Sequence, residues 1–160
     1  MTDSNRLLTA LRNELETAGL VRRPGTASGL PAVHVEPRDG PPAPGSREGS
    51  ETTGDLVVTL RLSGEMAEPA FNSYRRRAVV DVIYRSTWTT GLMAGRALDA
   101  AVRTRIVNRA DYGQGYTLDF GGPMATLVLE ARVFGGIGPV SDIAGVRTDQ
   151  AKYMFEVLSS

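Results

Sequence analysis

Two runs of period-two alternation constrain this chain more than any other feature. In the first, Leu56, Val58, Leu60 and Leu62 alternate with Val57, Thr59 and Arg61; in the second, Ala78, Val80, Val82 and Tyr84 alternate with Val79, Asp81 and Ile83. Successive side chains of an extended backbone point to opposite faces, so each run is a strand with one face buried, and neither suits a helix. The two are expected to pair, with a break between them at Ser63-Gly-Glu-Met-Ala-Glu-Pro69.

Around this pair the other elements fall into place. Leu7, Leu8, Leu11 and Leu15 recur at helical spacing after Asp3 and Ser4, which suit a helix start, and Gly19 suits its end, so a first helix is expected over roughly residues 4 to 18. Val33 and Val35 share one face of a short extended segment bracketed by Pro31 and Pro37. From Arg38 to Gly54 the chain collects Pro, Gly, Ser and charge with no apolar period, a composition that cannot build a core. Loops longer than about 12 to 15 residues are uncommon in compact domains, and this one is expected to be mobile in the free chain. A second helix is expected from Thr89 or Thr90, with Ala94, Ala97, Leu98, Ala101 and Val102 as its apolar stripe and Arg96, Arg103 and Arg105 largely off it. Further strands are expected at Tyr116 to Phe120, Met124 to Phe134 and Lys152 to Leu158, the first two joined by a turn at Gly121-Gly-Pro123. The order predicts an α+β fold: a mostly antiparallel sheet, two helices on one face, and a long loop after the first strand. At 160 residues the chain has room for one domain, taken as 1–160.

Composition narrows the chemistry. Eighteen basic residues balance eighteen acidic ones, so no global field draws the molecule onto a polyanion. Cysteine is absent and His34 is the one histidine, which leaves the usual zinc ligands and a cysteine nucleophile without residues to supply them. No Gly-x-Ser-x-Gly elbow marks a serine nucleophile. Phe134-Gly-Gly-Ile-Gly-Pro139 is not a phosphate-binding pattern, since Pro139 has no N–H to offer, and it reads as a flexible turn leaving a strand. The enzymatic alternative is a magnesium-dependent nuclease, in which Asp119 and Glu130 on adjacent strands hold the metal and Arg132 steadies a phosphate. Arg132 weakens it, because nucleases of that pattern use lysine, and arginine stays charged. No basic segment followed by an apolar one opens the chain and no run is long enough to span a membrane, so an unexported, soluble protein without a membrane partner is expected. No cofactor is called for.

Arg75, Arg76 and Arg77 stand directly before the second alternating run. A nucleic-acid grip would need them on one patch, but in a strand they alternate in direction. A strand-edge or interface role is the simpler reading, since exposed charge keeps an open edge from pairing wrongly.

Three stretches carry a resemblance: Leu7-Leu-Thr-Ala-Leu-Arg-Asn-Glu-Leu15, Arg77-Ala-Val-Val-Asp-Val-Ile-Tyr-Arg85, and Thr89-Thr-Gly-Leu-Met-Ala-Gly-Arg-Ala-Leu-Asp-Ala-Ala101. In their order and in the Arg-x-x-Val-Asp-Val-x-Tyr-Arg pattern, the chain resembles the tail terminator, or tail completion, proteins of long-tailed bacteriophages. That resemblance spans most of the chain as a pattern of elements. It implies a non-enzymatic virion protein, assembled in the host cytoplasm, that forms a hexameric ring on the head-proximal end of the tail tube. Such a ring stops tube polymerisation and docks the head connector, while genome DNA passes through its lumen without specific binding. The implied partners are other copies of the chain, the major tail tube protein and the head–tail connector proteins; other head–tail joining and minor capsid proteins are the neighbouring readings. Arg75, Arg76 and Arg77, with Arg38 and Arg47 in the Pro/Gly-rich loop, become the candidate interface residues, and the loop itself a candidate assembly element that orders on a neighbour. The proline-rich loop and the glycines at 135 to 138 depart from the commoner pattern.

Overall fold

The computed structural model describes residues 3–23, 30–35, 56–67, 75–87, 91–110, 116–118, 126–143 and 146–158. In chain order these form helix α1 (Asp3–Thr17), strands β1 (Ala32–Val35), β2 (Val57–Ala67) and β3 (Arg75–Thr87), helix α2 (Gly91–Ala110), and strands β4 (Tyr116–Leu118), β5 (Thr126–Ile143) and β6 (Val146–Leu158). The strands build one open sheet in the order β1-β2-β3-β6-β5-β4. β1 runs parallel to β2, and every other pairing is antiparallel. The α+β class and the mostly antiparallel sheet are therefore as the alternation predicts.

Both helices lie on one face. Leu7, Leu8, Ala10, Leu11 and Leu15 of α1 and Val102, Ile106 and Val107 of α2 join one core with Val33, Val58, Leu60, Ala78, Val80, Val82, Tyr84, Ala131, Ala151, Tyr153 and Phe155 of the sheet. The expected core residues of both alternating runs are in that cluster, with Leu62 packed at its margin. α1 ends as its sequence requires. Gly19 adopts φ +73° and donates its N–H to Glu16 O at 3.0 Å, while Leu20 N–H reaches Leu15 O at 3.0 Å, which closes the last turn and satisfies two carbonyls that the helix leaves open. Arg22 then lies along the outer edge of β1: its N–H bonds Pro31 O and its C=O accepts from Val33 N–H, both at 2.9 Å.

Several expectations need correction. The break expected at Ser63 does not occur; β2 runs on to Ala67 with a register shift between Leu62 and Gly64, because a bulge takes up the extra residue and the pairing resumes beyond it. Likewise Gly135 to Pro139 is not a turn leaving a strand. It lies in the middle of β5, which pairs with β6 through successive irregularities between Val133 and Ser141. Glycine lets the strand bulge there, and Pro139 stands at one of the irregularities, where the register shifts between its pairing with Asp149 and that of Ser141 with Thr148, a setting in which a strand tolerates proline. β6 accordingly starts at Val146, not near Lys152. In α2 the buried stripe is Gly95, Asp99, Val102, Ile106 and Val107, with Leu98 packed at its margin, whereas Ala97 is exposed. The expected stripe is displaced because a polar residue, Asp99, occupies its centre. The Arg38 to Gly54 segment and the Gly121-Gly-Pro123 turn lie outside the described residues.

Candidate functional site

The arginine triplet is not at a sheet edge. β3 is hydrogen-bonded on both sides: Arg76 is the register partner of Ala67 and Val157, Arg77 of Met66 and Glu156, and Arg75 of Leu158. This corrects the edge reading. The expected alternation holds, since Arg75 and Arg77 occupy positions of the face without helices and Arg76 a position of the helix face. Arg38 and Arg47 lie outside the described residues.

The helix-free face has its own organisation. Asp81, in the middle of the Val-Asp-Val run, is only 1% exposed, and the register sets Arg61 of β2 on one side of it and Lys152 of β6 on the other. Arg61 Nη2 donates to Asp81 Oδ2 at 2.8 Å and its Nε to the same oxygen at 3.3 Å, while Lys152 Nζ donates to Oδ1 at 2.7 Å. Lys152 Nζ also reaches the hydroxyl of Ser63, the bulge residue of β2, at 3.2 Å. One carboxylate thus serves two cations across three strands. A buried carboxylate is tolerable only with such partners. Two residues further along β3 on each side are Val79 and Ile83; beyond them stand Arg77, facing Glu156, and Arg85, facing Thr148.

A second polar node sits between the helices and the sheet. Asp99 of α2, 5% exposed, accepts through Oδ1 from Tyr84 Oη and from Tyr153 Oη, both at 2.7 Å. Burial pushes the Tyr84 hydroxyl well above the ordinary tyrosine value, and the Asp99 charge adds to the shift; Tyr153 is raised by burial and then by its hydrogen bond to Asp99. The node pins α2 to β3 and β6. Gly95, one turn before Asp99, faces the same tyrosine, and a Cβ placed there would lie 3.5 Å from Tyr84 Cβ, an ordinary contact distance. Beside it, Arg147 forks onto the buried Asp149, Nε to Oδ2 at 2.9 Å and Nη2 to Oδ1 at 3.2 Å. Arg105 Nε bonds Glu14 Oε1 at 2.9 Å and ties α2 to α1.

Of the nuclease pair, Asp119 lies outside the described residues, and Glu130 is the register partner of Glu156. Among the described residues no three His, Cys, Asp or Glu gather as a metal site would need, and no helix is long and apolar enough to cross a membrane. The residues that organise the molecule's polar chemistry, Arg61, Asp81, Asp99 and Lys152, were not candidate site residues. A faint signal marks three of them: Asp81 interrupts an apolar run, Asp99 interrupts an apolar stripe, and Lys152 is the one lysine in a chain otherwise supplied with arginine.

Comparisons with known proteins add the fold alone. No family model matches the chain, and no curated protein does. A solved structure that carries a sequence identifier in place of a descriptive name superposes on 100% of this chain and 98% of its own, with a TM-score of 0.53 at 11% identity, so the same fold accounts for the whole length of both chains.

Proposed function

We propose that this chain is a structural, non-enzymatic subunit of the tail-terminator kind, a virion protein that closes into a ring of about six copies on the head-proximal end of a phage tail tube and offers the head connector its docking surface. The observation that carries the reading is the use to which the Arg77-to-Arg85 motif is put. Val80 and Val82 fill the core, Asp81 is sealed beneath Arg61 and Lys152, and Tyr84 is held by Asp99. Two polar groups of the motif, Asp81 and Tyr84, tie strands and a helix together, as suits a scaffold under load and not a site that must receive a substrate.

The sheet's margins supply means of association. β4 covers β5 only as far as Val128, so from Leu129 to Ile143 the strand has no strand partner among the described residues on its outer side. Val133, on that strand, is the one large apolar side chain exposed among the described residues. An unpaired edge with an exposed apolar residue beside it suits a head-to-tail contact that closes by rotation. Arg75, Arg76, Arg77, Arg38 and Arg47 remain candidates for such contacts. Negative-stain microscopy and light scattering, alone and with the tube protein, test the proposal: rings capping tube ends are expected. A strict monomer that cleaves DNA with magnesium and loses that activity on Asp119→Ala overturns it.

A further inference from the structure

The helix-free face of the sheet is drier than the described elements account for. Ala32 of β1 and Val57 and Thr59 of β2 are 0% exposed, and Ile83 and Met154 farther in keep 8% each. Strand register puts all five on that face, opposite the core positions Val33, Val58, Leu60, Val82 and Tyr153. No described helix or strand crosses it, since both helices lie on the other face and all six strands are in the sheet itself. Burial is deepest at the β1–β2 corner, beside the sheet's margin, where an open face meets most water. Arg22 pairs with Ala32 from outside β1 and so occupies a position of the same face. Among the described residues neither Arg22 Nη2 nor Thr59 Oγ1 finds a hydrogen-bond partner, and both are out of water, which would serve them on an open face.

The connection between β1 and β2 supplies a cover, and handedness fixes its side. A crossover between parallel strands of one sheet is right-handed in about 98% of cases. Viewed on the helix-free face with β1 running upward, Val33 points its side chain away and, as an L residue in an extended strand, turns its N–H to the left, where it meets Arg22 O. β2 therefore lies to the right, and it too runs upward. A chain that leaves the top of β1 and re-enters β2 from below turns right-handedly only by passing in front, over the helix-free face. On the other side α1 already packs against β1 and β2. We infer that residues 36–55 return across the helix-free face and pack on its β1–β2 corner, so that the sheet is covered on both sides. The return along the four residues of β1 spans about 13 Å at about 3.3 Å per residue. The connection has twenty residues, so length remains for the contact with a neighbour that the ring reading gives it. A partner then meets the sheet at its margins and not on this face. The inference concerns the single subunit and holds or fails independently of ring formation.

Cysteine is absent from the chain, so Ser46→Cys gives one attachment point for a nitroxide in the full-length protein. Methyl NMR with the label oxidised and then reduced reads which face the connection crosses. Signals of Ile83 and Met154 are expected to be lost with the oxidised label and regained on reduction, while those of Leu11 and Ile106, in the helix layer beyond the sheet, are retained. Loss at Leu11 and Ile106 with Ile83 and Met154 retained overturns the inference by placing the connection on the helix side. Equal loss in both sets, or loss in neither, overturns it by leaving the helix-free face without this cover.

Discussion

Asp81 and Asp99 are both carboxylates held out of water, but their partners differ and so do the consequences of losing them. Arg61 and Lys152 remain partly in solvent, so in Asp81→Asn both cations can turn outward and be hydrated, and the loss is expected to be about 1 to 2 kcal/mol. The reverse deletion is worse. Arg61→Met with Lys152→Met strands a carboxylate that is 1% exposed, and urea unfolding should show a loss of about 3 to 5 kcal/mol. Asp99 is instead served by two neutral hydroxyls, and these make folding sensitive to alkali. In the unfolded chain Tyr84 and Tyr153 titrate near pH 10, whereas in the fold both are raised by burial and by Asp99. Their contribution is intact below pH 10. Above it the unfolded chain releases protons that the folded chain keeps, and stability should fall by about 1.4 kcal/mol per pH unit for each tyrosine. Urea titrations between pH 8.5 and 11 measure the slope, and Tyr84→Phe should remove about half of this pair's share while costing about 1.5 to 3 kcal/mol at neutral pH.

At the scale of elements, two glycines predict opposite results from one substitution. Gly19 holds φ +73° at the end of α1, where a Cβ has open space but the wrong backbone, so Gly19→Ala is expected to destabilise by about 1 kcal/mol. Gly95 lies inside α2 with ordinary backbone, and its added Cβ would meet Tyr84 Cβ at 3.5 Å, a normal contact distance. Gly95→Ala should therefore gain up to about 1 kcal/mol of helix propensity, and Gly95→Leu, which must displace Tyr84 or lift the helix, should lose it; thermal melts of the three variants decide. Period and turn chemistry made the helices and the β2–β3 pair legible, because Leu7 to Leu15 and Val80 to Tyr84 carry one signal each. The long β5–β6 pairing was not legible. Glycine and proline between Gly135 and Pro139 read locally as a turn, and only the register with β6 and the uncovered outer edge reveal them as bulges in a strand. Asp99 was hidden for a related reason, since a helix stripe is read by its apolar residues and the two hydroxyls that make this position tolerable come from strands 15 and 54 residues away.

For the molecule as a whole, a net charge of zero conceals how the charges are paired: Asp81 meets Arg61 and Lys152, 20 and 71 residues away in the chain, only because strand register sets them side by side. The segment between β1 and β2 shows the same dependence on topology. Among the described residues the core and its margin stop at Val35 and resume at Leu56, and the composition of residues 36–55 suggests that the whole stretch can be removed. The parallel pairing of β1 with β2 forbids that. Val35 lies beside Leu60 while the chain must re-enter at Val57 beside Ala32, so the connection has to return along the full strand before pairing begins. Parallel neighbours need a crossover of about a dozen residues or more. Deleting 41–48 leaves twelve residues in the connection, and since loop closure entropy changes slowly with length, stability should shift by less than about 1 kcal/mol. Deleting 38–54 leaves three, which cannot make the return; β1 should detach, exposing Val33 and Val58, with a loss of several kcal/mol on the order of two buried valines at about 1.5 to 3 kcal/mol each. On the ring reading, the shorter deletion yields a folded subunit that fails to cap tubes. Folding measured by urea titration and capping scored by microscopy separate the two effects, and a 41–48 deletion that unfolds the chain, or that still caps tubes, removes the assembly role from this segment.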